Sequence, residues 1–206
     1  EFDILREIMT KEGFARFSSY IETRPPQTEA QRQRIITAFL DKFAREEALE
    51  NVAAGGWYTI EVRSVSGGVP SSVYQVGKVG VGDIFITAGQ SNSANFGGPA
   101  FDPLDDRVSA VTLSNDSQVL PPWVKGADPQ PFADGTGGSV WSRLGDQLTA
   151  ELDVPVGFLS LGVGGSPISF WTFPSPNYNN RLREAIEYFP PNGFRAFLWH
   201  QGERDS

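Results

Sequence analysis

The chain has 206 residues, of which 39% are hydrophobic, with 22 glycines, 15 prolines and no cysteine. That is enough apolar material for a buried core in one moderate domain, or in a core domain with an appendage, and the glycine and proline content favours strands joined by shaped loops over a helical bundle. A formal net charge of −8 leaves no basic footprint for nucleic acid and no attraction to an anionic membrane surface; the composition excludes disulfides and thiol catalysis, and a single histidine rules out a histidine-rich metal site.

Residues 1–54 read as a helical appendage. Ile4 to Tyr20 forms one helical stretch, and Arg24-Pro25-Pro26 ends it. Thr28 and Gln31 make a capping box for a second helix, with Ile35, Ile36, Phe39, Leu40 and Phe43 along one face. Such a segment serves as packing or as a surface for a protein partner. The opening EFDILREIMTKEG is charged throughout and does not read as a signal peptide, although one removed earlier is compatible with it. No apolar run approaches a membrane span.

Residues 55–80 read as a small β segment. Tyr58, Ile60 and Val62 alternate with Thr59, Glu61 and Arg63, the pattern of a half-buried strand. Ser66-Gly67-Gly68 turns the chain and Ser72 to Val79 returns as a second, antiparallel strand.

Residues 81–206 change pattern again. Ile84 to Ala88 is a short apolar run suited to a buried parallel strand. Phe96 to Gly138 is irregular. Ser139 caps a helix with Trp141, Leu144, Leu148 and Leu152 inward, and Val154 to Leu161 is the next buried strand. Tyr178 to Phe189 is a helix with Leu182, Ile186 and Phe189 inward, followed by a strand from Phe194 to Trp199. Strand, helix, strand, helix, strand predicts an α/β fold: a parallel sheet with helices on its faces. Three such strands leave the sheet short, with an open edge.

Each of the three strands ends in a polar loop: Gly89-Gln90-Ser91-Asn92, Gly162-Val163-Gly164-Gly165-Ser166, and His200-Gln201-Gly202-Glu203-Arg204-Asp205. Parallel strands bring all three to one edge, where open α/β sheets bind ligands. Ser91, after a strand and a glycine, can project its hydroxyl into a cleft or simply cap a helix. Gly164-Gly165 offers bare N–H groups that stabilise an oxyanion or form a turn. Gln201 either donates its amide to the same point or holds a loop. The first loop is not the G-x-S-x-G elbow, and Pro167 breaks a G-x-G-x-x-G match, so no motif here supports nucleotide binding.

Taken in order, the stretches Asp83 to Asn92, Gly162 to Ser166 with Trp171, and Leu198 to Glu203 resemble the SGNH/GDSL hydrolase superfamily. The nearest resemblance is to its sialate O-acetylesterase and acetyl-xylan-esterase-like carbohydrate esterase branch. Pro155-Val156-Gly157-Phe158 adds to it, and the resemblance covers residues 55–206. It implies a flavodoxin-like three-layer sheet and a serine esterase acting on O-acetylated carbohydrate, sialic acid or xylan-type; localisation stays open, with the resemblance slightly favouring the periplasm or the cell exterior.

The resemblance assigns Ser91 as nucleophile, forming an acyl-enzyme. The oxyanion hole is then the Ser91 N–H, the Gly164 N–H with Gly165 as the alternative, and the Gln201 side chain. Asn92 and Glu203 orient neighbours or substrate. It brings no metal or organic cofactor. Ser93, Ser166 and Arg204 stand where the family often has methionine, threonine and serine. The larger departure is the base, in the superfamily a histidine three residues after an aspartate. This chain holds no such pair, and His200, on the strand neighbouring Gln201, is expected to face the other way. The expectation is that further polypeptide from the same gene product supplies the Asp–His pair and the remaining strands. The alternative is a catalytically incomplete carbohydrate-binding or interaction protein on the same scaffold.

Overall fold

The structure, a computed structural model, describes residues 52–66, 69–113, 123–172, 178–189 and 193–205, with the backbone alone at 60–66, 69–74 and 76. The helices expected within residues 1–51 lie outside the described residues. The chain divides into two compact units, one around residues 57–79 and one containing most of the chain from residue 80 on. β1 (Gly55–Ser66) and β2 (Val69–Val81), most of whose residues belong to the first unit, pair as a two-stranded sheet. Both strands run longer than the alternating segments that announced them. The Lys78 ammonium lies 5.6 Å from the Trp57 ring, and the Tyr58 hydroxyl donates to the Ala53 carbonyl at 2.9 Å.

The second unit is an α/β fold built on a five-stranded sheet. Its strands are β3 (Asp83–Gly89), β4 (Val108–Ala110), β5 (Val124–Lys125), β6 (Val156–Ser160) and β7 (Ala196–His200), in the order β5-β4-β6-β3-β7. All neighbours are parallel except β5, which runs antiparallel to β4. The three strands read from the sequence are therefore adjacent and parallel, with β3 between β6 and β7. The sheet is wider than expected, because the stretch read as irregular contributes β4 and β5. These have three and two residues, too few to show a period of two.

Side chains alternate across the sheet. On one face Phe85, Val156 and Phe158 pack with Val108 and with Trp141 of α1 (Trp141–Leu152). On the other, Ile86, Ala88, Leu159 and Leu161 pack with Ala185 of α2 (Asn179–Tyr188) and with Phe189 just after it. One helix thus covers each face, which explains why β3 and β6 are apolar on both sides.

The helix faces depart from the expected ones. In α1 the buried residues are Trp141, Ser142, Gly145 and Thr149, with Leu144 and Leu148 partly buried and Leu152 exposed. Gly145 sits where a Cβ would lie 2.4 Å from Val108 Cγ1, so bare backbone meets the sheet there. Val140 is the N-cap, yet Ser139 Oγ still accepts the Trp141 N–H at 3.2 Å. In α2 the inward stripe is Tyr178, Leu182, Ala185 and Phe189, and Ile186 is exposed. Among the described residues no helix is long and apolar enough to cross a membrane.

Candidate active site

β3 ends at Gly89, where φ is +131° and a Cβ would lie 1.9 Å from the His200 carbonyl oxygen. Only glycine lets the backbone leave the sheet so close to β7. Gln90 is buried: its N–H donates to the His200 carbonyl at 3.1 Å and its Oε1 accepts the Arg204 N–H at 2.9 Å. Ser91–Ser93 then forms a single 3₁₀ turn, in which the Ser93 N–H and hydroxyl both donate to the Gln90 carbonyl at 2.9 Å. Gln90 and Ser93 anchor the turn, leaving Ser91 half-buried at its start and Asn92 exposed.

The loop after β6 is tied to this turn. The Val163 N–H donates to the Gly89 carbonyl at 3.0 Å. Ser166 Oγ donates to the Val163 carbonyl and accepts from the Trp171 indole N–H, both at 2.9 Å. The Gly164 N–H donates to Asp134 Oδ2 at 3.3 Å. Gly165 has φ +66°, is exposed, and would meet nothing within 4 Å of an added Cβ.

The loop after β7 closes the group. Gln201 Nε2 donates to the Ser166 carbonyl at 3.4 Å and to the Asp205 carboxylate. Both Asp205 oxygens accept the Ile168 N–H at 3.1 Å. The Asn92 side-chain amide donates to Glu203 Oε1, and His200 Nε2 lies 3.4 Å from that oxygen. The Glu203 carboxyl is held below the usual carboxylate range, first by its own backbone N–H, then by the Asn92 amide, with His200 adding to the effect. Gln201 thus turns toward the β6 loop and His200 toward Glu203. The His200 side chain is 54% exposed rather than packed, and among the described residues no hydrogen bond joins it to Ser91.

Two residues at this edge were not singled out from the sequence. Asp134, inside the stretch read as irregular, carries the Gly164 contact; its N–H donates to the Gly162 carbonyl at 2.9 Å and its carbonyl accepts the Asn95 N–H at 2.7 Å. Arg181 of α2 places its guanidinium 4.1 Å over the Phe132 ring and donates to the Phe132 carbonyl. Burial pushes the Arg181 pKa down, while the Asp134 charge and Tyr178 oppose that shift. No sequence signal marked either residue, since both contacts join segments distant in the chain. Among the described residues no group of three or more His, Asp and Glu side chains could hold a metal ion.

The fold and these loops define an α/β protein with a polar site beyond the carboxyl ends of three parallel strands. The family described as "Carbohydrate esterase, sialic acid-specific acetylesterase" matches residues 81–206, and the chain belongs to that family. The SGNH-type carbohydrate-esterase resemblance read from the sequence agrees with it. No curated protein matches the chain. Similar solved structures include a carbohydrate acetylesterase from Xanthomonas citri, with TM-score 0.50 and 23% identity over 74% of this chain and 38% of that one. Another is a protein from Arabidopsis thaliana, with TM-score 0.46 and 18% identity over 60% of this chain and 58% of that one. The chain therefore spans less than two thirds of the length of either.

Proposed function

We propose that the protein is a serine esterase that removes O-acetyl groups from carbohydrate through an acyl-enzyme at Ser91, on an SGNH-type three-layer scaffold. The observation that carries this reading is the meeting of three polar loops at the ends of β6, β3 and β7, joined by hydrogen bonds around a half-buried serine. Membership of a carbohydrate esterase family supports it. The Ser91 hydroxyl attacks the ester carbonyl, the sugar leaves as an alcohol, and water then releases acetate. The negative charge that develops on the carbonyl oxygen is met by the Ser91 N–H, the glycine doublet and the Gln201 amide. The Gly164 N–H already donates to Asp134, so Gly165 is the member of the doublet left to take a new acceptor. Asn92 and Glu203 hold the turn and contact substrate.

Serine at its ordinary pKa needs a base within hydrogen-bond reach. His200 is the sole histidine, and its contact is with Glu203. The base and its aspartate are accordingly proposed to come from further polypeptide of the same gene product. The exposed, Glu203-directed His200 equally suits the second reading, a catalytically incomplete carbohydrate-binding protein. One experiment separates them: brief incubation of the whole gene product with an acetyl ester, acid quench and peptide mass spectrometry. The esterase reading expects acetyl on the peptide containing Ser91, undiminished in His200→Ala and missing from residues 1–206 alone. No acetylated peptide under any condition favours the binding protein.

A further inference from the structure

Phe96 lies five residues beyond Ser91 and is 56% exposed. An exposed phenylalanine is ordinary on a protein surface, but this one is fixed from both sides. The Asn95 N–H donates to the Asp134 carbonyl at 2.7 Å, and Gly97 and Gly138 exchange backbone hydrogen bonds at 2.9 and 2.8 Å. The Asn95 side chain, 1% exposed, donates to the Gln130 and Ala133 carbonyls and accepts the Gln130 N–H. The Phe96 ring also rests against Gly164, where an added Cβ would lie 2.8 Å from two ring carbons. A phenyl group carried on a hydrogen-bonded backbone therefore stands beside Gly164 and still presents surface to solvent.

We propose that Phe96 forms the wall of a sugar subsite, on which the pyranose carrying the acetyl ester stacks while its ester carbonyl reaches Ser91 and the glycine doublet. The inference rests on the esterase reading of that site. A phenyl face carries the negative part of the ring quadrupole. The C–H bonds on the flat face of a pyranose, polarised by neighbouring oxygens, carry the complementary positive charge. A backbone already hydrogen-bonded on both sides of the ring leaves less to be ordered when a sugar settles on it. The small Gly164 is needed at the same place, because any side chain there would push the phenyl group away.

The test uses binding and turnover together. Binding of an O-acetylated methyl xyloside to Ser91→Ala protein is followed by saturation-transfer NMR, with Phe96 kept or changed to Ala, Leu or Trp. The proposal expects Kd to rise about tenfold in Phe96→Ala and Phe96→Leu and to recover in Phe96→Trp, since the flat aromatic face and not apolar bulk is what binds. In the active whole protein, the Phe96→Leu variant should raise KM for the acetylated xyloside by a larger factor than it lowers kcat, and should lower kcat/KM for the xyloside far more than for vinyl acetate. Undiminished sugar binding by Phe96→Leu, no binding by the Phe96 protein, or an equal loss on vinyl acetate overturns it. Failure of the esterase reading shows separately, as turnover of neither ester, and the binding comparison then still decides the role of Phe96.

Discussion

The Asp134 carboxylate accepts the N–H of Gly164 at 3.3 Å, placing a negative charge beside the loop proposed to stabilise an oxyanion. A carboxylate and an oxyanion on one N–H would repel. Asp134 is therefore read as holding Gly164 in place so that Gly165 donates to the reacting ester. Asp134→Ala should lower kcat by about tenfold, roughly 1.4 kcal/mol of transition-state stabilisation, with little change in KM. A rise in kcat would instead make Gly164 the oxyanion donor and Asp134 its competitor.

Gln201 is expected to act in the transition state. Its 3.4 Å bond to the Ser166 carbonyl is long, so a developing oxyanion can replace that acceptor while the bond to the Asp205 carboxylate keeps the amide in place. Removing one oxyanion donor costs about 3 kcal/mol. Gln201→Ala should cut kcat by a factor of about 10² while KM stays near its starting value. Steady-state kinetics checks this, and damage confined to KM would make Gln201 a substrate contact.

The tie between Asn92 and Glu203 should depend on pH with a definite sign. The Glu203 carboxyl is depressed below its ordinary value of 4.5. A depressed carboxylate favours the folded loop above the unfolded pKa and loses that contribution as pH falls through the folded one. The Asn92 side-chain amide resonance should hold steady through mildly acidic pH and shift only below the ordinary carboxylate range. In Glu203→Gln that transition should vanish; its persistence would place the titration on another group.

Gly145→Ala tests the contact of α1 with the sheet. Alanine gains about 1 kcal/mol in helix propensity over glycine. Its Cβ, however, would sit 2.4 Å from Val108 Cγ1 and 3.1 Å from Phe158 Cε2, and overpacking costs about 1–3 kcal/mol. The net expectation is destabilisation by about 1 kcal/mol, seen as a lower urea midpoint. A higher midpoint would mean that the interface relaxes around the added methyl.

The parts of the fold that could be read from sequence are those whose signal is local. Phe85 to Ala88 and Val156 to Ser160 are buried on both faces of the sheet, so the apolar runs that contain them announced β3 and β6. Their polar ends, with that of β7, located the site's loops for the same reason. Helix phase was harder to read. Ala185, fully buried, has too small a side chain to outweigh Ile186, which is exposed. In β5 both residues are exposed, so it carries no pattern at all. Asp134 reaches Gly164 across 30 residues of chain, a contact that neither residue's neighbours foretell.

Acetyl-ester turnover by the whole gene product, with and without the Ser91 hydroxyl, tests most directly whether Ser91 is the nucleophile. Ser91 is half-buried at the start of a turn anchored by Gln90 and Ser93, so Ser91→Ala should leave thermal unfolding nearly unchanged. The unaltered protein should hydrolyse 4-nitrophenyl acetate and an O-acetylated sugar, and Ser91→Ala should lose both activities. Undiminished turnover in a well-folded Ser91→Ala protein would contradict that role for Ser91.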